Sequence, residues 1–193
     1  MLHPDFDPAC FNLHPGQFDH QSQLHGLNHT YRVMCHCLIL GELLQFERET
    51  RLAFAAAFIH DMSRKHDSYC TRHGKWAANK KLPLFVDFFQ NQGINGDEIK
   101  EVATAVRNHS EDFDLKPKHP FRVTTSLLKD ADALDRIRLG HENLNPEFLR
   151  FGVTRMLIPF ATELYETTST GIAASFMEIW NCATLIKAGM PIS

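Results

Sequence analysis

The run Leu52-Ala53-Phe54-Ala55-Ala56-Ala57-Phe58-Ile59, followed at once by His60-Asp61, decides how this chain is read. The run offers no polar stripe at helical spacing, which is the pattern of a helix buried on every side. Such a helix delivers its last residues into the protein interior. A carboxylate arriving there is costly unless a cation compensates it. A divalent metal held by His60 and Asp61 is the simplest remedy, and further ligands are to be sought along the chain.

Outward from that helix the pattern stays helical. Thr50 reads as its cap, and Asn28 as the cap of a helix running to 44. A polar segment over 63–72 leads to a short helix over 73–80. Pro83 opens another to 92. Gly93-Ile94-Asn95-Gly96 is a turn, and Asp97 starts a helix to 108. After a loop at 116–120 a helix spans 123–139. Asn145-Pro146-Glu147 is a helix start, with a capping residue followed by Pro at the first helical position. Helices over 155–166 and 171–188 complete the chain. No alternating, β-branched run of strand length occurs. Residues 1–23, rich in Pro, Asp, His and Gln, read as an irregular arm. Residues 24–190 read as one all-α, single-domain helical bundle with its metal site in the core.

Bulk properties narrow the partners. The 193 residues carry a formal net charge of −3, with 44% hydrophobic and 22% charged residues. That balance gives no electrostatic footprint for a nucleic acid duplex or an anionic membrane. No apolar run approaches the ~20 residues needed to span a bilayer. Met1-Leu2-His3-Pro4-Asp5 lacks the basic and apolar regions of a signal peptide. The expectation is a cytoplasmic protein. Five cysteines without framework spacing suit a reducing compartment. Cys35 and Cys37 stand two apart on a helix, roughly 200° around its axis, and cannot chelate one ion together.

Twelve histidines are the count that matters, because several fall at helix ends or on inner faces. His29, Arg32, Val33, His36 and Leu40 share one stripe of the first helix. Ile99, Val102, Ala103 and Val106 form a stripe that His109 continues at its C-terminal end. Asp130, Asp132 and Asp135 flank the apolar face of Leu127, Leu128, Ala131 and Leu134, and periodicity does not choose among the three. Imidazole plus carboxylate, in the order His29, His60-Asp61, His73, His109 and then one of these acids, is a ligand mix for Fe, Mn, Ni or Zn.

This ordered set resembles the HD superfamily of metal-dependent phosphohydrolases. The matching stretches are His29-Thr30-Tyr31-Arg32-Val33, Phe58-Ile59-His60-Asp61-Met62 and Ala131-Asp132-Ala133-Leu134-Asp135. More closely, the chain resembles a branch marked by His25-Gly26-x-x-His29-x-x-Arg32-Val33, His60-Asp61-x-x-Arg64-x-x-Asp67 and His73-Gly74-x-x-x-Ala77. The resemblance selects Asp132 among the three acids. It implies a one-metal set of His29, His60, Asp61 and Asp132, extended by His73 and His109 as in two-metal branches. It also implies an HD-type fold and one or two divalent ions, with Fe, Mn, Ni, Co, Zn and Mg undistinguished. The Gly-Tyr-Pro motif of cyclic-dinucleotide phosphodiesterases is absent.

Two metals suit phosphoester hydrolysis, since together they activate water and clamp phosphoryl oxygens. Asp61 is the natural bridging ligand, having two oxygens where imidazole has one usable nitrogen. Arg32 and Arg64 are candidates for binding phosphate in fork geometry, with Lys65 a weaker one. His25, one turn before His29, is a candidate to act on substrate or support a ligand, and Asp67 to orient Arg64. The expected activity is hydrolysis of a small phosphate-bearing substrate, a nucleotide or other ester or anhydride, by a chain that could form a homodimer. The alternatives are a di-iron oxygenase acting on a polyol or organophosphonate, and a non-catalytic nucleotide-sensing domain. Phe148, Phe151, Phe160, Phe176 and Trp180 are expected in core or dimer packing.

Overall fold

The structure, a computed structural model, describes residues 6–190; the first five residues of the expected arm lie outside that range. Among the described residues there are eight α-helices and no strand. They are α1 (Leu27–Leu44), α2 (Glu47–Ile59), α3 (His73–Lys80), α4 (Val86–Asn91), α5 (Gly96–Asn108), α6 (Arg122–Leu134), α7 (Ile158–Thr168) and α8 (Phe176–Gly189). The centre is α2, packed against α1, α5 and α6. Helix α3 lies on α5, while α7 and α8 cover α1 from the other side. No helix of the described residues is long and apolar enough to cross a membrane.

Helix α2 is buried from Thr50 through Ile59, as its sequence requires. It begins earlier than expected, at Glu47, because Glu47 and Glu49 in the first turn complement the helix dipole. Thr50 therefore lies inside the helix and caps nothing. Its hydroxyl donates to the Phe46 carbonyl at 2.5 Å, and its side chain fills the space left by Gly41. A Cβ on Gly41 would stand 1.7 Å from Thr50 Oγ1, so the glycine is what lets α1 and α2 approach.

Asn28 is not a cap either. Its amide donates to the Thr168 and Gly171 carbonyls and accepts from the Ala173 amide, tying α1 to the α7–α8 connection. That connection stays non-helical until Ser175, whose hydroxyl accepts from the Glu178 amide and starts α8 at Phe176 instead of 171. Asn145 does cap, but only one 3-10 turn, Pro146–Phe148. Helix α6 ends at Leu134, where the chain tightens into a 3-10 turn, Asp135–Leu139. The expected helix over 123–139 is thus two elements, and the break re-aims Asp135 and Arg138.

The N-terminal arm is irregular yet belongs to the core. Phe11 is fully buried, with its ring 4.9 Å from that of Phe54 and 5.3 Å from that of Phe58. Phe6, Leu13 and Phe18 are also buried, and the Leu13 amide donates to the Tyr31 hydroxyl at 2.7 Å. Phe160 and Phe176 are likewise buried in the core, whereas Phe148 is exposed.

Candidate metal centre

Five helices contribute to one buried cluster. His29 lies on the first turn of α1, His60 and Asp61 follow the last residue of α2, and His73 opens α3. His109 follows α5, and Asp132 lies near the end of α6. On one side His29 Nε2 stands 3.2 Å from His60 Nε2, 3.4 Å from Asp132 Oδ1 and 3.4 Å from Asp61 Oδ2. On the other, His73 Nε2 stands 2.9 Å from His109 Nε2 and 3.0 Å from Asp61 Oδ1, and His109 Nε2 is 3.6 Å from that oxygen. Asp61 thus turns one oxygen to each half. Asp132 remains 28% exposed, which leaves the first half an opening to solvent.

The three acids of α6 have separate destinations. Asp130 is fully buried and accepts from the amides of Arg150 and Phe151 and from the Thr154 hydroxyl, holding the segment before α7. Asp132 faces His29. Asp135 accepts from His29 Nδ1 at 2.7 Å and from Arg32 Nε and Nη2 at 2.5 and 3.0 Å.

The tautomers follow from these partners. His29 Nδ1 donates to Asp135, His60 Nδ1 to the Ala57 carbonyl, His73 Nδ1 to the Cys70 carbonyl and His109 Nδ1 to the Val106 carbonyl, all at 2.6–2.7 Å. A neutral imidazole carrying its proton on Nδ1 presents a lone pair at Nε2. All four Nε2 atoms face the cluster, so lone pairs oppose one another at 3.2 and 2.9 Å with carboxylate oxygens around them. Only a cation makes such an array favourable, and imidazoles fixed through Nδ1 are the usual supported ligands. The residues present therefore fit divalent metal.

Protonation agrees with this. Burial lowers His60 to about 3 and also lowers His73 and His25. Although burial would raise them, Asp61 is held well below the carboxylate range by His60 and the other histidines, and Asp132 by His29 and His60. Neutral imidazoles and ionised carboxylates are the forms that metal binding requires.

The remaining predicted residues divide. His25 Nδ1 lies 3.0 Å from Asp61 Oδ2. Arg64 Nε lies 3.1 Å from the same oxygen, a charge contact without hydrogen-bond alignment, and Nη1 donates to the Ser68 carbonyl. Arg32 is no clamp at the histidines: Asp135 occupies its fork, so it reaches the cluster only through that carboxylate. Asp67 does not orient Arg64; it accepts from the Ser22 hydroxyl at 2.5 Å and so ties the arm to the loop after α2. Lys65 is exposed, its ammonium 4.6 Å from the centre of the Trp76 ring.

Two residues were missed. Asp135 supports His29, and Arg138 places Nη2 3.0 Å from His25 Nδ1 while donating to the Leu24 and Asp135 carbonyls. The spacing Asp132-x-x-Asp135-x-x-Arg138 was the available signal, hidden because a continuous helix was expected there.

Gly74 sets the approach of α3 to α5. A Cβ there would stand 2.4 Å from the Val106 carbonyl oxygen, 2.8 Å from Ser110 Oγ and 2.9 Å from His109 Nδ1. The family model described as HD domain matches residues 26–137, more than half of the chain and the span that holds every residue of the cluster. No curated protein and no solved structure matches the chain.

Proposed function

The chain belongs to the HD domain family, and from that membership we propose a metal-dependent phosphohydrolase cleaving a phosphate ester or anhydride, in the first instance of a nucleotide. The observation that supports this most is the opposed set of four Nε2 lone pairs, each backed by an Nδ1 donor bond. In this reading His29, His60, Asp132 and Asp61 would hold one ion, and His73, His109 and Asp61 would hold a second. Ions in those places supply Lewis acidity, making water acidic enough to deprotonate near neutral pH and neutralising phosphoryl charge. Imidazole-rich donors favour Mn, Fe, Co, Ni or Zn over Mg.

The chain's own residues do the rest. Asp61, nearly enclosed, joins the two halves and fixes their spacing. Arg64 is partly open, its Nε in charge contact with Asp61 and its Nη1 bonded to the Ser68 carbonyl, and serves as the cation facing a substrate phosphate. His25 touches Asp61 from the side of Arg138 and is placed to carry a proton next to the reacting group.

Protein purified without chelator should contain about two ions per chain by metal analysis. In a panel of phosphate esters Asp61→Ala should abolish phosphate release while the helical circular dichroism persists. Turnover should proceed equally in air and under nitrogen. Strict dependence on dioxygen would overturn the hydrolase in favour of a di-iron oxygenase.

A further inference from the structure

A cavity of about 330 Å³ lies between the N-terminal arm, the start of α1 and the α7–α8 connection. None of the four Nε2 histidines lines it. Its arginines are Arg32 and Arg138, which are only 2% and 9% exposed, beside the polar side chains of His20, Gln21, Gln23 and Asn28. Both guanidiniums lean on the single carboxylate of Asp135: Arg32 through Nε and Nη2, Arg138 with Nη1 3.7 Å from Oδ2. Asp61 has Arg64 beside it, and Asp132 lies in the field of Arg138. Two buried guanidiniums thus share the nearest carboxylate, Asp135, and among the described residues Arg138 has no closer acid than Oδ2 at 3.7 Å.

Arg32 makes no further hydrogen bond among the described residues, so Nη1 is left for the cavity. Gly26, which precedes α1, and the first residues of the helix, Leu27 and Asn28, also line it, and that helix end has no side-chain cap. The helix start and the open Nη1 edge of Arg32 both favour an anion. Apolar lining is supplied by Phe18, Leu24, Ile172 and the Tyr165 ring, over which Arg32 is stacked at 5.1 Å.

We infer that this cavity binds a small organic oxyanion, its carboxylate or phosphate group against Arg32 and Arg138 and its apolar body against Tyr165 and Ile172. Two sources share that chemistry, the far end of the substrate and a separate effector. Either would act on the metal cluster through the same contacts, since Arg32 grips the carboxylate that orients His29 and Arg138 touches the histidine beside Asp61.

The probe is benzoate, which has the anion and the apolar body but no phosphoryl group, titrated calorimetrically into the full chain as purified. It should bind. Ser169→Glu, which puts a carboxylate at the exposed rim, should weaken binding about tenfold or more, and Ser169→Gln should leave it within about twofold. Ile172→Trp, which narrows the mouth, should weaken it as well. Failure of benzoate to bind the unsubstituted chain, or equal binding by Ser169→Glu, overturns the site. On protein loaded with Mn²⁺ and turning over p-nitrophenyl phosphate, benzoate that raises KM alone assigns the cavity to the substrate's far end. Benzoate that changes kcat assigns it to an effector. The calorimetry needs no turnover, so benzoate binding by a protein that hydrolyses nothing would keep this site and sink the hydrolase reading instead.

Discussion

Asp135 takes three N–H groups on one fully buried carboxylate, one from His29 and two from Arg32. Those bonds hold its pKa far below the carboxylate range against the opposing effect of burial. Asp135→Asn removes the charge and turns one acceptor into a donor, which releases the His29 ring. Metal affinity should fall about 10–100-fold, measured by titration in metal buffers, while activity recovers at saturating metal. His36, two turns further along α1, behaves differently. It packs against Phe160, neither ring nitrogen has a hydrogen-bond partner, and burial lowers its pKa to about 4. Asp135, which raises it, and Arg32 and His29, which lower it, are the charges it senses. Unfolded, it titrates near 6.5, so between about pH 6.5 and 4 the unfolded chain binds a proton that the folded chain refuses. Stability therefore falls as pH drops through that window, by about 3 kcal/mol in all. Urea midpoints at pH 7 and pH 5 should show it, and His36→Leu should shrink the difference, the rest belonging to His25, His60 and His73.

Gly74 argues at the scale of the element. With backbone oxygen at 2.4 Å from any added Cβ, Gly74→Ala cannot be absorbed by a side-chain rotation, and α3 must move off α5. The pairing of His73 with His109 should loosen: bound metal should drop from about two ions to one, with a stability loss of about 1–3 kcal/mol. The elements themselves were legible where periodicity or a single strong signal spoke. The buried run of α2 and the short helix at 73–80 stand where the sequence put them. Boundaries set by tertiary partners were not legible. Asn28 and Thr50 have the chemistry of caps, but a loop 140 residues away claims one and a glycine on the neighbouring helix claims the other. His29, His60, Asp61, His73, His109 and Asp132 could be named from their order and resemblance. The roles of Arg32 and Asp67 could not, because their partners, Asp135 and Ser22, lie 103 and 45 residues away.

For the whole molecule, the arm is one outside support of the helical core, and metal at the cluster would be a second. Phe11 meets Phe54 and Phe58 edge-on, and Phe11→Ala should cost about 3–5 kcal/mol in chemical unfolding, although no helix is touched. Chelation should lower the thermal midpoint and Mn²⁺ should restore it; metal at a hundred times its dissociation constant contributes about 2.7 kcal/mol. The cluster also has a bearing on how the protein is made. His29 emerges from the ribosome early, yet the aspartate that fixes its ring comes 106 residues later, after every other ligand. A nascent chain thus exposes histidines one at a time, each without its neighbours, and His29 without its Nδ1 anchor. The half of the cluster that includes Asp132 therefore cannot be completed until α6 is synthesised and docked, whereas His73, His109 and Asp61 are all made before it.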